Sequence, residues 1–392
     1  MTDFSKNWEK LSGDNLWSAL KDPLHVDLRR YIIHYGERAG AIDDAFIDET
    51  KFPFIDGKLV SPINPQSIGY PRYARKDLFD KVGLVKGNYR PTYIVEKYVY
   101  GAPKLRCRPS YLLAYVAVSD NEGTKALGRR DILIAWRGTK LEAEVAVDKN
   151  TELRPAPKIF GNQYAGAMVH GGWYDYYINT DVRTPKNQRT SCQDQVGEAV
   201  RKLIDQYGNE GQQLSITITG RGTGAAFAIL NGMDIVCNKL NYPTKQPKSP
   251  CLVTAIVFGC PFVGNEAFKN AENDETMFQI LRVTNEPDPV TNSEPSPEYE
   301  HIGVEEKINT VNSPYLKNPI DTVHELEVYL HGVAAHPGTT VALEDIRRTV
   351  MVNKTLDGLK DETIVPPIWI LNKFMVQNER GAWELKDVPV DV

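Results

Sequence analysis

The sequence predicts an α/β fold around a central, mostly parallel sheet. Three observations carry this: short apolar runs recurring from about residue 111, helical stretches alternating with them, and a strand that enters a helix through a glycine-rich junction at 220–224. The runs are Tyr111–Val118, Ile132–Trp136, Leu214–Thr219, Leu252–Phe258 and Phe278–Val283. Each is short enough for a strand and apolar enough to be covered on both faces, as parallel strands are. Helices are expected between them at about 193–207, 224–238 and 265–272. Upstream, Asp22-Pro23 pairs a capping residue with a proline suited to the first helical position. Leu24, Leu28, Tyr31, Ile32, Tyr35, Ala39, Ile42 and Phe46 follow at helical spacing, which predicts one long amphipathic helix over 22–46. Residues 47–74, rich in Pro and Gly without a period, read as an irregular surface excursion. The division expected is an N-terminal helical and irregular region, 1–110, packed on a core of 111–392 as one structural unit. The stretch from about 140 to 192, with Pro155, Pro157, Gly161, Gly166 and the aromatic cluster Trp173, Tyr174, Tyr176 and Tyr177, has the length of a functional loop or lid.

Composition narrows the function classes. Over 392 residues, 46 Lys+Arg face 51 Asp+Glu, a net charge of −5 that leaves no basic surplus to neutralise phosphates and argues against a nucleic-acid partner. A 41% hydrophobic and 25% charged chain folds as an ordinary globular protein. The start MTDFSKNWEKLSG carries no apolar or Arg/Ser-rich leader, and no run of 18 apolar residues occurs, so a soluble cytoplasmic protein is expected. Cys107, Cys192, Cys237, Cys251 and Cys260 are odd in number and lack CxxC spacing, which argues against a disulfide framework or a structural zinc site. Reduced thiols are expected, with Cys260 an inert buried one.

The chemistry concentrates at the junction. Leu214–Thr219 runs into Gly220-Arg221-Gly222-Thr223-Gly224 and then Ala225-Ala226-Phe227-Ala228-Ile229-Leu230, the strand, sharp turn and helix of a nucleophile elbow. In the G-x-S-x-G form the central serine sits on a strained turn that lifts its hydroxyl to the top of the sheet. Here the central residue is Gly222.

Several further stretches carry a resemblance. They include Trp8-Glu9-Lys10-Leu11-Ser12-Gly13, Asp27-Leu28-Arg29-Arg30-Tyr31, Leu127-Gly128-Arg129-Arg130-Asp131-Ile132, Ala135-Trp136-Arg137-Gly138-Thr139 and Phe258-Gly259 with Val263-Gly264-Asn265. Leu281-Arg282-Val283-Thr284-Asn285 with Pro287-Asp288, His324-Glu325-Leu326-Glu327 with Tyr329-Leu330-His331, and the ending Asn353-Lys354, Asp361-Glu362 and Met375-Val376-Gln377 follow in the same order. Over nearly its whole length the chain resembles the plant class-II phospholipase A1 group of the class-3 lipase family. That resemblance implies an α/β-hydrolase fold with a Ser, Asp, His triad in that chain order, acting on acyl esters of glycerolipids without metal or organic cofactor. Asp288 and His324 match two triad positions. Where the family reads Gly-His-Ser-Leu-Gly, this chain reads Gly-Arg-Gly-Thr-Gly, so the nucleophile position holds Gly222.

Removing the nucleophile of a serine hydrolase costs on the order of a millionfold in kcat, so efficient acyl-enzyme chemistry is not expected. The remaining residues still form a useful set: His324 as general base, Asp288 as its orienter, and the backbone N–H groups of Thr139 and Thr223 as donors to a carbonyl oxygen gaining negative charge. A base beside an oxyanion pocket abstracts a proton next to a carbonyl, giving isomerisation, elimination or cyclisation of a small metabolite. Two alternatives stand beside this reading: a non-catalytic acyl- or metabolite-binding homologue, and a weak phospholipase A1 or acyl-ester hydrolase that uses water or Thr223. The expected partner is a small carbonyl metabolite or an acyl lipid, with at most peripheral membrane contact through the lid. Arg221, Trp173 and Tyr174 are candidate ligand contacts, and His331 reads as structural.

Overall fold

The computed structural model describes residues 4–47, 54–55, 58–59, 69–84, 92–103, 110–180, 190–208, 213–245, 249–313, 315–317, 322–336, 375–377 and 383–385. A seven-stranded sheet forms the centre. Its strands are β1 (Tyr93–Gly101), β2 (Tyr111–Ser119), β3 (Arg130–Trp136), β6 (Leu214–Arg221), β7 (Leu252–Phe258), β9 (Phe278–Asn285) and β11 (Val304–Ile308). A smaller antiparallel sheet holds β4 (Leu153–Pro155), β5 (Met168–His170), β8 (Gly264–Asn265) and β10 (Tyr299–Glu300). The large sheet runs β11-β9-β7-β6-β3-β2-β1; β3, β6, β7, β9 and β11 are mutually parallel, and β2 lies antiparallel to both its neighbours. Parallel neighbours need crossovers, and helices α4 (Cys192–Tyr207), α5 (Thr223–Cys237) and α6 (Glu266–Asp274) supply those from β3 to β6, β6 to β7 and β7 to β9, while β9 reaches β11 through a connection that contains β10. The order of elements and the mostly parallel sheet agree with the sequence expectation.

Period-two alternation buries both faces of the sheet. On β3, Ile132, Ile134 and Trp136 turn into the cluster under α4 and α5, while Leu133 and Ala135 turn into the one under α1 (Val26–Ala45) and α7 (Leu326–Ala334). On the α1 side the apolar layer is pierced by a buried carboxylate. Asp131 accepts Ser215 Oγ at 2.6 Å, Thr217 Oγ1 at 2.8 Å, Tyr35 Oη at 2.9 Å and Tyr93 Oη at 2.8 Å, and the buried Arg129 guanidinium lies 3.7 Å away. Two sheet strands, their edge and α1 are thereby tied to one charge.

Four expectations change. Helix α1 begins at Val26, with His25 Nδ1 accepting the Asp27 N–H at 3.1 Å as its cap; the Asp22–Pro23 peptide is cis and lies outside the helix. The sheet starts at Tyr93, inside the region 1–110, because β1 pairs along β2. Strand β6 continues to Arg221, which pairs with Phe258 of β7, so Gly222 alone makes the turn. The stretch expected as a lid contains α2 (Glu142–Asp148), β4, β5 and α3 (Gly171–Ile178), and its Ile159, Phe160, Val169, Trp173, Tyr174, Tyr176 and Tyr177 are buried in the main core. Buried in the core, those rings tie the segment to the body of the protein. Cys107 and the stretches quoted from Asn353 to Glu362 lie outside the described residues. Cys192, Cys237, Cys251 and Cys260 are free thiols, and burial pushes Cys260 up to about 12. No helix among the described residues is long and apolar enough to cross a membrane.

Candidate active site

The site lies at the carboxyl ends of the parallel strands, where β6 enters α5. Gly222 adopts φ 58°, ψ −124°, a conformation that L side chains rarely take, and its N–H is held by Phe258 O at 3.0 Å. The flanking glycines let the backbones approach: an added Cβ would meet Gly224 O at 2.3 Å from position 220, and Trp136 O at 2.4 Å from position 224. Any larger residue at 220 or 224 would push α5 off the sheet.

Asp288 caps a short turn after β9. Its Oδ1 accepts the Val290 N–H at 2.9 Å; its Oδ2 accepts His324 Nδ1 at 2.7 Å and the Tyr329 hydroxyl at 2.5 Å. The carboxylate is fully buried. Burial alone would raise its pKa, but the hydrogen bond and charge of His324, with Tyr329 and Val290, outweigh it and hold the carboxyl below its usual range. His324 therefore carries its proton on Nδ1 and presents Nε2 as the basic nitrogen. Nε2 has no hydrogen-bond partner among the described residues, and the side chain is 28% exposed to a cleft of about 360 Å³.

The imidazole lies between two glycines. An ideal Cβ on Gly222 would stand 2.8 Å from Nε2; one on Gly259, at φ 56°, would stand 2.9 Å from Cε1 and 3.0 Å from Nδ1. The ring occupies space that a side chain at either position would need. The turn bearing it is gripped on successive carbonyls, by Asn285 Nδ2 to Val323 O and by an Arg221 guanidinium nitrogen to His324 O, both at 3.1 Å.

Across the cleft is the loop Arg137-Gly138-Thr139. Arg137 and Glu144 form a buried two-pronged pair at 2.5 and 3.0 Å, and Glu144 also accepts the N–H groups of Lys140 and Leu141. Burial raises the Glu144 pKa, yet Arg137 and those N–H bonds outweigh it, so the carboxyl stays below its usual range and the loop is fixed. The N–H groups of Thr139 and Thr223 have no partner among the described residues. Both threonine hydroxyls turn to Asp148: Thr139 Oγ1 to Oδ2 at 2.6 Å and Thr223 Oγ1 to Oδ1 at 3.0 Å, with 2.9 Å between the hydroxyls. Trp173 Nε1 also donates to Asp148 Oδ1, at 2.8 Å, and its ring stacks on His170 with centroids 3.6 Å apart. Burial lowers His170 to about 4, so it is neutral near pH 7.

The expected residues thus divide. Gly222, Thr223, Thr139, His324, Arg221 and Trp173 all line the cleft, and Asp288 stands behind His324. Tyr174 does not line it: the side chain is buried in the core and its hydroxyl accepts the Lys158 N–H at 3.3 Å, because the helical turn of α3 points successive aromatics in different directions. His331 is buried, bonds Ser313 Oγ at 2.8 Å, is lowered to about 4 by burial and does not line the cleft. Asp148 and Tyr329 were not anticipated as site residues. No group of three or more metal-ligating side chains occurs among the described residues.

Comparison with known proteins decides the family. The model for Lipase (class 3) matches residues 133–297. Phospholipase A1-IIgamma of Arabidopsis thaliana is 40% identical over 412 residues, covering 99% of this chain and 94% of its own. The chain belongs to the class-3 lipase family. Phospholipase A1-II 4 of Oryza sativa subsp. japonica is 37% identical over 400 residues, covering 98% of this chain and 95% of its own. Among solved structures, the lipase from Rhizopus microsporus var. chinensis aligns with TM-score 0.44 at 19% identity, over 74% of this chain and 76% of that one. The sheet order described above, parallel from β3 to β11, is that of the α/β class expected from the sequence.

Proposed function

We propose that this class-3 lipase relative lacks the serine nucleophile and performs proton transfer next to a carbonyl on a small metabolite. The observation that carries this is His324: its Nε2 faces the cleft without a partner, and the ring occupies volume that a side chain at Gly222 would fill. In the proposed reaction the carbonyl oxygen accepts the N–H groups of Thr139 and Thr223. His324 Nε2 removes a proton from the adjacent carbon, and the electron pair of that C–H bond moves onto the oxygen as an enolate. The imidazolium, stabilised by Asp288, then returns the proton to another carbon in an isomerisation. In an elimination it protonates the group that departs, and in a cyclisation the enolate carbon attacks a second carbonyl carbon of the same molecule, whose C=O π electrons move onto its oxygen, which takes the imidazolium proton.

Cleft size supports a small substrate. About 360 Å³ is near the lower end of the roughly 300–1,000 Å³ of small-molecule sites. The Thr223 hydroxyl is bonded to Asp148 and Thr139 rather than to His324, which weighs against its service as a displaced nucleophile. The test is deuterium incorporation, followed by NMR, into ketones, aldehydes and esters incubated with the protein in D₂O. Exchange that is lost in His324→Ala supports the reading; exchange that survives in His324→Ala, or none across the panel, overturns it.

A further inference from the structure

We infer that Arg221 is a positioning residue that holds the His324 imidazole against Gly222. The inference deepens the reading of His324 as the working base and rests on it. His324 belongs to an irregular turn ahead of α7, so its placement depends on anchors from outside the turn. One is Asn285, on Val323 O. Asp288 holds the ring, and a further anchor is Arg221, whose own position is rigid because it is the last paired residue of β6. One guanidinium nitrogen donates to His324 O at 3.1 Å; the other lies 3.9 Å from Glu325 Oε2, the next residue of the turn, and 4.0 Å from Asp43 Oδ2 on α1.

The side chain is nine-tenths buried, and its Nε has no partner among the described residues. Two carboxylates already stand near its charge, so the anchoring contacts describe it better than capture of an anionic ligand does. An arginine fork reaches a carbonyl and a carboxylate at once, which a lysine ammonium on a flexible stem does not reproduce. The arrangement is coupled to the elbow. Arg221 draws the carbonyl of His324 toward β6, and Gly222 leaves the space into which the ring then fits.

The test reads the imidazole directly. In protein labelled with ¹⁵N-histidine, the His324 Nδ1–H resonance is identified as the one of seven histidines missing in His324→Gln, and its exchange with water is measured. Arg221→Gln is expected to speed that exchange at least tenfold, and Arg221→Lys at least threefold, with melting temperatures compared in parallel. Asp131→Asn, which loosens the fold far from the turn, serves as the control and is expected to leave the exchange within twofold of the parent. If Arg221→Gln does not fold, Arg221→Lys alone decides. Unchanged exchange in the folded variants, or equal acceleration in the control, overturns the inference. Failure of deuterium incorporation by the unaltered protein would sink the proposed reaction yet leave this measurement intact.

Discussion

Gly222→Ala places a single methyl group where the geometry is least tolerant. The new Cβ would stand 2.8 Å from His324 Nε2, whereas ordinary contact begins near 3.4 Å, so the ring must retreat about 0.6 Å. Retreat is resisted because Asp288 holds Nδ1 at 2.7 Å. Overpacking of this kind costs about 1–3 kcal/mol, and an alanine at φ 58° adds about 1–3 kcal/mol of backbone strain. Allowing for relaxation, a loss of about 2–4 kcal/mol is expected, or a fall of about 4–8 °C in Tm at about 2 °C per kcal/mol. A displacement of about 0.6 Å at Nε2 is expected to lower the proposed His324-dependent proton exchange by about tenfold or more. The assay is a double-mutant cycle by calorimetry with His324→Ala, in which the steric part vanishes and only the backbone strain persists. A Gly222→Ala protein that melts within 1 °C of the parent, or loses as much stability with His324 absent as with it present, refutes the packing argument.

Three further outcomes follow from the same contacts. Asp288→Asn leaves the shape but removes the carboxylate that fixes the Nδ1 proton, so deuterium incorporation should fall about 10³–10⁴-fold while expression and circular dichroism stay near normal. Asp131→Ala strands the hydroxyls of Ser215, Thr217, Tyr35 and Tyr93 around a buried Arg129, and a loss of about 3–5 kcal/mol is expected by urea unfolding, with little effect on the chemistry of folded protein. Glu272 is raised to about 7, chiefly by burial, which the charge of Arg282 only partly offsets. A carboxyl raised on folding is stabilising below its unfolded pKa, near 4.3, and that stability drains away as pH rises toward 7. Glu272→Gln should therefore raise Tm at pH 8 and leave it unchanged at pH 4; equal shifts at both would count against burial as the cause.

What could be seen in the sequence follows the range of the interactions. The buried runs of β2, β3, β6, β7 and β9 are legible because covered strands are continuous apolar stretches, and the elbow because its small residues are contiguous. The edge strands β1 and β11 were missed: Tyr93–Gly101 alternates buried positions with exposed Ile94 and half-buried Glu96 and Lys97, and Val304–Ile308 carries two glutamates and a lysine, so neither forms an apolar run. Asp22-Pro23 satisfies the composition of a helix start, but the chain turns again before His25 caps α1 at Val26. Asp288 and His324 were found by motif, and the fold brings them to 2.7 Å across 36 residues of sequence. Asp148 had no such signal. Its carboxylate gains meaning only when Thr223, 75 residues away, and Trp173, 25 away, fold onto it. Tyr329 stood in a quoted stretch, five residues after His324, but its hydroxyl reaches Asp288 only through the packing of α7 against β9.

The central claim is that this site keeps its base and lacks its nucleophile, and intact-protein mass spectrometry after treatment with a fluorophosphonate addresses it most directly. The unaltered protein should remain unmodified; Gly222→Ser, after the small retreat of His324 that its side chain demands, should slowly gain one phosphonyl adduct; and Gly222→Ser combined with His324→Ala should gain none. A stoichiometric adduct on the unaltered protein, abolished by His324→Ala, would reveal a working nucleophile in the cleft and contradict the account.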